Sequence, residues 1–212
     1  MSKWLKFVGW TFGILALIAG ILRLTLLDGW VVPEDPVLGA SVVPTLRAGD
    51  RVLLLTKGER GIGDLVRCPD PEDPSRWVIG RIVGLAGDRV RVEGDRLFLN
   101  DKRYDAVESC TEGIVTFPHP SSGAPTQANC SRVEIGGGWH FRASVYSKTQ
   151  MKPVEHTVGP DRVYLLSDNR MFHDDSRDFG AVPASSCKEK IVFRTWGAKG
   201  WSDADARLTF IR

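Results

Sequence analysis

The apolar positions of this chain fall into two regimes: one long run near the start, then a series of short, strand-length runs. From Phe7 to Leu22 the sequence reads FVGWTFGILALIAGIL, without a charge. Arg23 interrupts it, and LTLL carries it on to Leu27. A bilayer core takes about 20 apolar residues in a helix. The run reaches that length if Arg23 extends its charged end toward the headgroups. Lys3 and Lys6 precede it, which favours an inside N-terminus and an exported remainder. Trp4, Trp10 and Trp30 stand where interfacial aromatic residues belong. A cleaved leader has a similar charged start and apolar core, but LRLTLLDGW contains no small-x-small site. A buried core helix would show a polar face, and this segment has none. The expectation is a cytoplasmic stretch at 1–6, an uncleaved transmembrane anchor at 7–27 and an extended linker at 28–37. Pro33 and Pro36 prevent a helix from continuing through that linker.

Beyond the linker the pattern is that of strands. RVLLLT (51–56), DLVRC (64–68) and WVIGRIV (77–83) come in quick succession. Residues 89–93 and 96–99 flank Gly94-Asp95, a favoured hairpin pair. Residues 162–166 and 191–194 complete the set. Short strands separated by turn signals predict a mainly β fold, an antiparallel sandwich or barrel. Residues 104–160 break the pattern. They are rich in Gly, Pro, Ser and Thr and are read as a peripheral insertion, with small strands at 132–135 and 140–146. Residues 38–212 would form one extracytoplasmic domain with this insertion inside it. The tail from Trp196 to Arg212 carries no clear signal.

Composition changes little in this picture. The 212 residues are 42% hydrophobic and 25% charged, with 22 Gly and 12 Pro, as expected for one globular domain with an appendage. A formal charge of +2 gives no ground for nucleic-acid binding. The four cysteines, at 68, 110, 130 and 187, form no C-x-x-C pair, so no zinc ribbon is expected. In an exported domain an even count suggests disulfides. Four cysteines allow three connectivities. Cys110 with Cys130 is the preferred pair, which leaves Cys68 with Cys187.

Candidate chemistry begins at Gly39-Ala40-Ser41-Val42-Val43-Pro44-Thr45-Leu46. A serine after small residues offers an accessible hydroxyl, and neighbouring backbone N–H groups can approach a carbonyl closely. Most serines near glycine are merely turn residues, so the surrounding boxes decide. Gly49-Asp50 follows, then Gly63-Asp64-Leu65-Val66. Next come Gly80-Arg81-Ile82-Val83-Gly84-Leu85-Ala86-Gly87-Asp88, Ser167-Asp168-Asn169-Arg170 and Asp175-Ser176-Arg177-Asp178-Phe179-Gly180.

This order of boxes resembles the type I signal peptidases, membrane-bound serine endopeptidases that remove leader peptides from exported proteins. The resemblance covers the anchor, 37–100 and 163–193. It implies Ser41 as nucleophile, its own N–H as oxyanion donor, and Arg81, Asp168 and Arg177 as structural residues near the site. Arg81 would pair with Asp168, and Arg177 with Asp175. Val42, where Met is usual, and Pro44 would line a shallow groove for an extended leader peptide. Further implications are a bacterial-type inner membrane, a lipid bilayer and preprotein leader peptides as partners, a monomer, and neither cofactor nor metal.

Two positions depart from the family pattern together. Gly80 stands where the family has its Lys base, and His173 where it usually has a Ser bonded to that Lys. Serine needs a proton acceptor, and an arginine such as Arg81 stays protonated. Imidazole is suited to that task near neutral pH. The expectation is a Ser41–His173 dyad, oriented by Asp174 or Asp175, with His173 extending into volume vacated at Gly80. Two alternatives stay open. One is a lysine from elsewhere (Lys57, Lys102, Lys148 or Lys152). The other is an inactive relative that only holds peptides or secretion components. His119, His140 and His156 form no ligand-spaced cluster and are read as surface or structural.

Overall fold

The computed structural model describes residues 3–145 and 152–212, with the side chains at 5, 22 and 24 left out. The chain opens with helix α1 (Lys3–Thr25) and strand β1 (Leu27–Val31), followed by the short helix α2 (Pro36–Ser41). Then come β2 (Arg51–Leu55), β3 (Leu65–Pro69), β4 (Trp77–Gly84), β5 (Arg89–Glu93), β6 (Arg96–Leu99) and β7 (Lys102–Tyr104). Three longer strands follow: β8 (Ala106–Pro118), β9 (Pro125–Ile135) and β10 (Gly138–Ser144). The chain closes with β11 (Val154–Thr157), β12 (Arg162–Leu166), the one-turn α3 (Ser176–Phe179), β13 (Val182–Pro183), β14 (Glu189–Trp196) and β15 (Thr209–Phe210).

These strands form three antiparallel sheets. The main one runs β1-β2-β14-β3-β4-β12-β13, with β15 also pairing with β14. A second runs β11-β5-β6-β7, and the insertion forms a third, β10-β9-β8. In β2 and β5 every second residue is buried, so one face meets the core and the other meets water. β4 is buried along almost its whole length. It lies between β3 and β12 and is covered on both faces. One face carries Ile79 and Val83 into the clusters around Leu38 and Leu166. The other carries Val78 and Ile82 against Leu165, Val182 and Cys187. The disulfides are Cys68–Cys187 and Cys110–Cys130, the first joining β3 to the loop before β14 and the second joining β8 to β9.

The mainly β, antiparallel expectation holds, and several boundaries move. Residues 28–37 are not a free linker. Residues 27–31 pair along their length with 51–55, because Trp30 and Val32 complete a core cluster with Val52 and Leu54. The tail also joins the sheet, through β15. The insertion is not peripheral. At Gly136 (φ +64) an added Cβ would lie 1.8 Å from the Ile62 carbonyl oxygen, so only glycine lets the β9–β10 turn seat against the backbone before β3.

Helix α1 leaves Trp4, Phe7, Trp10, Phe12, Leu15, Leu17 and Ile21 exposed, each by half or more of its surface. Among the described residues no helix is long and apolar enough to cross a membrane, the side chains at 5, 22 and 24 lying outside that reckoning.

Candidate active site

Ser41 ends α2. Asp35 caps that helix, its carboxylate accepting from Val37 N at 2.8 Å and Leu38 N at 3.0 Å, and Pro36 occupies the first turn, a position where its missing N–H costs nothing. Val42 closes the helix with its N–H on the Leu38 carbonyl. The Ser41 hydroxyl donates to that same carbonyl at 2.9 Å, and the residue is wholly buried.

The segment after β12 grips this turn. Asn169 donates its backbone N–H to the Ser41 carbonyl at 2.9 Å and its side-chain amide to the Ala40 carbonyl at 2.8 Å. Its side-chain oxygen accepts from Met171 N and Phe172 N, which fixes the loop leading to His173. Beside it Asp168 is buried and takes two bonds from Arg81, at 2.9 and 2.8 Å, and one from the Thr45 hydroxyl at 2.5 Å. Arg81 gives its two Nη1 donors to the Gly63 and Arg212 carbonyls. Burial alone would raise the Asp168 pKa; the Arg81 guanidinium overcomes it and holds the carboxyl below its ordinary value. Three sequence boxes more than a hundred residues apart at their extremes thus meet around Ser41.

A second ion pair stiffens the loop that carries His173. Asp175 is buried and accepts from Arg177 Nε and Nη2, at 2.9 and 2.7 Å, and from Ser167 N at 2.8 Å. Burial again opposes its charge, and Arg177 again prevails, so its pKa is lowered. Asp175 also caps α3 in a reciprocal box with Asp178. Both arginine–aspartate pairs are those the sequence resemblance implied.

His173 Nδ1 lies 2.7 Å from Asp178 Oδ2. The carboxylate beside the imidazole is therefore that of Asp178, and neither Asp174 nor Asp175. Asp175 has its oxygens committed to Arg177 and Ser167. Asp174 points toward Arg76, 3.8 Å away, where burial and the nearby Asp70 raise its pKa to about 6. Sequence reasoning missed Asp178; the available signal was its place three residues after the helix cap, which turns its carboxylate back toward the preceding loop. The atoms of His173, Asp175 and Asp178 converge to within 4.8 Å of one another, but the Asp175 oxygens are already occupied by protein donors.

Ser41 and His173 are not hydrogen-bonded to each other: one hydroxyl is turned to Leu38, one imidazole to Asp178. The space expected beside Gly80 does not exist either. A Cβ added there would meet Leu165 Cβ at 2.9 Å. Gly80→Lys should therefore restore nothing. Overpacking of this kind costs about 1–3 kcal/mol, so a thermal melt should fall while cleavage stays no faster than in wild type.

Other expected residues fall elsewhere. Val42 is 1% exposed and packs among Leu38, Leu46, Val52 and Ile79, so it belongs to the core and lines no groove. Its place at the helix cap turns it inward. Pro44 is half-buried. Lys57, Lys102 and Lys152 are exposed or partly exposed and make no hydrogen bond to Ser41; Lys148 lies outside the described residues. His140, expected at the surface or in a structural role, is 2% exposed, with Nε2 3.8 Å from Asp168 Oδ1.

Comparison with known proteins gives one family. A profile described as signal peptidase, peptidase S26, matches residues 2–196. A signal peptidase I of Streptococcus pneumoniae is 28% identical over 195 residues, covering 87% of this chain and 91% of the relative. One from Bacillus caldolyticus is 27% identical over 197 residues, covering 90% and 91%. A mitochondrial ATP-independent inner membrane protease subunit 1a of Arabidopsis thaliana is 26% identical over 174 residues, covering 80% and 73%. The crystal structure of a signal peptidase I from Enterococcus faecalis is 22% identical and aligns with a TM-score of 0.36, over 63% of this chain and 97% of that one.

Proposed function

Because the chain belongs to the signal peptidase family, peptidase S26, we propose that it is a membrane-bound serine endopeptidase that cleaves leader peptides from exported preproteins, with Ser41 as nucleophile and His173 as base. The observation that carries this reading is the His173–Asp178 contact of 2.7 Å. A carboxylate on Nδ1 fixes the tautomer and leaves Nε2 free to take a proton from a serine, the division of labour of a Ser–His–Asp triad. Ser41 Oγ would attack the carbonyl carbon of the residue before the cut while its proton passes to His173 Nε2. The Ser41 backbone N–H would stabilise the oxyanion. Collapse of the tetrahedral intermediate gives the leader peptide as an ester on Ser41, with the His173 proton leaving on the mature protein's new amine. Water, activated by the same imidazole, then frees the leader. In the resting arrangement Ser41 faces Leu38, so a change of its rotamer and of its cover precedes the attack.

Attachment to a bilayer belongs to the same proposal. Helix α1 has 23 residues, about 35 Å at 1.5 Å per residue. Its exposed Trp, Phe, Leu and Ile side chains cover most of its circumference, and Gly9, Gly13, Ala16 and Gly20 fill the rest without a charge, as suits a helix whose neighbour is lipid. Arg23 sits in its last turn, where its charged end can reach the headgroups.

A second reading, a peptide-holding protein without catalysis, draws on one observation: the Ser41 hydroxyl is buried and bonded to a backbone carbonyl. Asp178→Asn separates the two. The triad reading expects preprotein cleavage in detergent to fall roughly a hundredfold or more, with the fold and the peptide affinity kept. Cleavage equal to wild type would remove Asp178 from the mechanism, and absence of cleavage in wild type would leave the holding function.

A further inference from the structure

The insertion sheet covers the nucleophile. Ala40 and Val43, on either side of Ser41, pack against Val115 and Phe117 of β8, Ala128 and Cys130 of β9, Ala143 of β10, and Phe172. These contacts come mostly from small side chains. Two backbone hydrogen bonds join the sheet to the segment beside Ser41: Ala143 N to the Asp168 carbonyl at 2.9 Å, and Arg170 N to the Ala143 carbonyl at 2.8 Å; farther along, Ile135 packs with Leu166 and Arg142 donates to the Asp95 carbonyl. The same interface buries polar groups without satisfying them. Both ring nitrogens of His140 lack a hydrogen-bond partner, as do Nε and Nη1 of Arg170. An unpaired polar group held away from water weakens the arrangement that holds it. It marks the interface as less stable than the sheets on either side.

We propose that the β8–β10 sheet is an acid-released cover over Ser41, with His140 as the group whose protonation undocks it. The charged groups facing His140 are Arg81 from β4, Asp168 and Arg170 from the segment after β12, and Arg142 from its own strand. Thr45, the other side chain on Asp168, is neutral. Three guanidiniums against one carboxylate, already bound twice by Arg81, leave no stabilising place for an imidazolium. Burial first, and Arg81 second, hold the His140 pKa well below its ordinary value. A group whose docked pKa is depressed favours docking above its free value of about 6.5 and loses that contribution as pH falls through it. Between the free and docked values, each pH unit downward multiplies the undocked fraction about tenfold. The cover's removal would expose Ser41 and give its hydroxyl an exit from Leu38. The functional consequence rests on Ser41 as nucleophile; the docking equilibrium does not.

Amide hydrogen exchange on the full chain in detergent micelles tests it without an activity assay. With intrinsic rates corrected for pH, protection at Ala143, Asn169 and Arg170 should fall about fivefold between pH 6.5 and 5.5 and about tenfold over the next unit down. Protection of Leu54 and Ile191 in the main sheet should hold. His140→Gln, which cannot acquire the charge, should flatten the pH dependence at the three reporter amides; His140→Asn serves if the longer amide disturbs packing. A wild-type protection profile independent of pH, the same pH dependence in either variant, or simultaneous loss at Leu54 and Ile191 would each overturn the proposal.

Discussion

Ser41→Ala is expected to reduce preprotein cleavage to the level of the uncatalysed background, and His173→Ala to reduce it by roughly 10³-fold or more. The reason is chemical. The acyl intermediate cannot form without the Ser41 oxygen, and a serine without an acceptor for its proton is a poor nucleophile. Members of one catalytic unit act non-additively, so the double variant should be no slower than Ser41→Ala alone. All three proteins should melt together within a few degrees. Ser41 donates one hydrogen bond to a carbonyl that Val42 also uses, and His173 is a quarter-exposed loop residue. Loss of activity with folding retained therefore reports chemistry. If His173→Ala cleaves like wild type while Ser41→Ala does not, the base is another group.

Asp168→Ala is expected to destabilise the domain by about 3–5 kcal/mol. At 2–4 °C per kcal/mol for a domain of this size, that corresponds to roughly 6–20 °C in melting temperature. Both charged side chains of the Asp168–Arg81 pair are fully buried. Removing one leaves a guanidinium in the core with two of its donors facing nothing. Replacing both, as Arg81→Met with Asp168→Leu, removes the uncompensated charge and should recover part of the loss. The surface pair Arg89–Asp101, with side chains 48% and 74% exposed, gives the contrast: Arg89→Ala should cost less than about 1 kcal/mol. Calorimetry on the three variants decides. A loss at Asp168 no larger than at Arg89 would show the buried pair to be dispensable and would unseat the account of how the boxes are held.

Much of this architecture was legible beforehand because it is local. The alternation in RVLLL and RVRVE announces half-buried strands, and Gly94-Asp95 announces the hairpin joining β5 to β6, whose limits match the expectation. The cysteine pairing could be ranked because Cys110 and Cys130 lie within one irregular stretch. What stayed hidden depends on contacts between distant parts. β1 looks like a linker because Pro33 and Pro36 dominate its surroundings; only the partner strand at 51–55 makes it a strand. Residues 104–160 look peripheral because Gly, Ser and Thr signal loops, yet Ala128 and Ala143 are small because they must lie flat against Ala40. Gly80 suggests empty space in the sequence, and the structure fills that space with Leu165 from the neighbouring strand. Asp178 gave way to Asp174 and Asp175 in the sequence reading because proximity in sequence says little about direction. The one-turn α3 swings Asp175 to Arg177 and leaves Asp178 to meet the imidazole. His140 gives no sign of its surroundings for the same reason: its neighbour Asp168 lies 28 residues away, in the segment after β12.

The most direct test of the catalytic account is the covalent bond it requires. An activated ester of a leader-peptide sequence, mixed with the protein in detergent and quenched with acid, should leave the peptide acyl group on the chain, mapped by mass spectrometry to Ser41. The adduct should be absent from Ser41→Ala and slow to form in His173→Ala. Hydrolysis of that ester at an undiminished rate by Ser41→Ala, or an adduct that maps to any other residue, would contradict it.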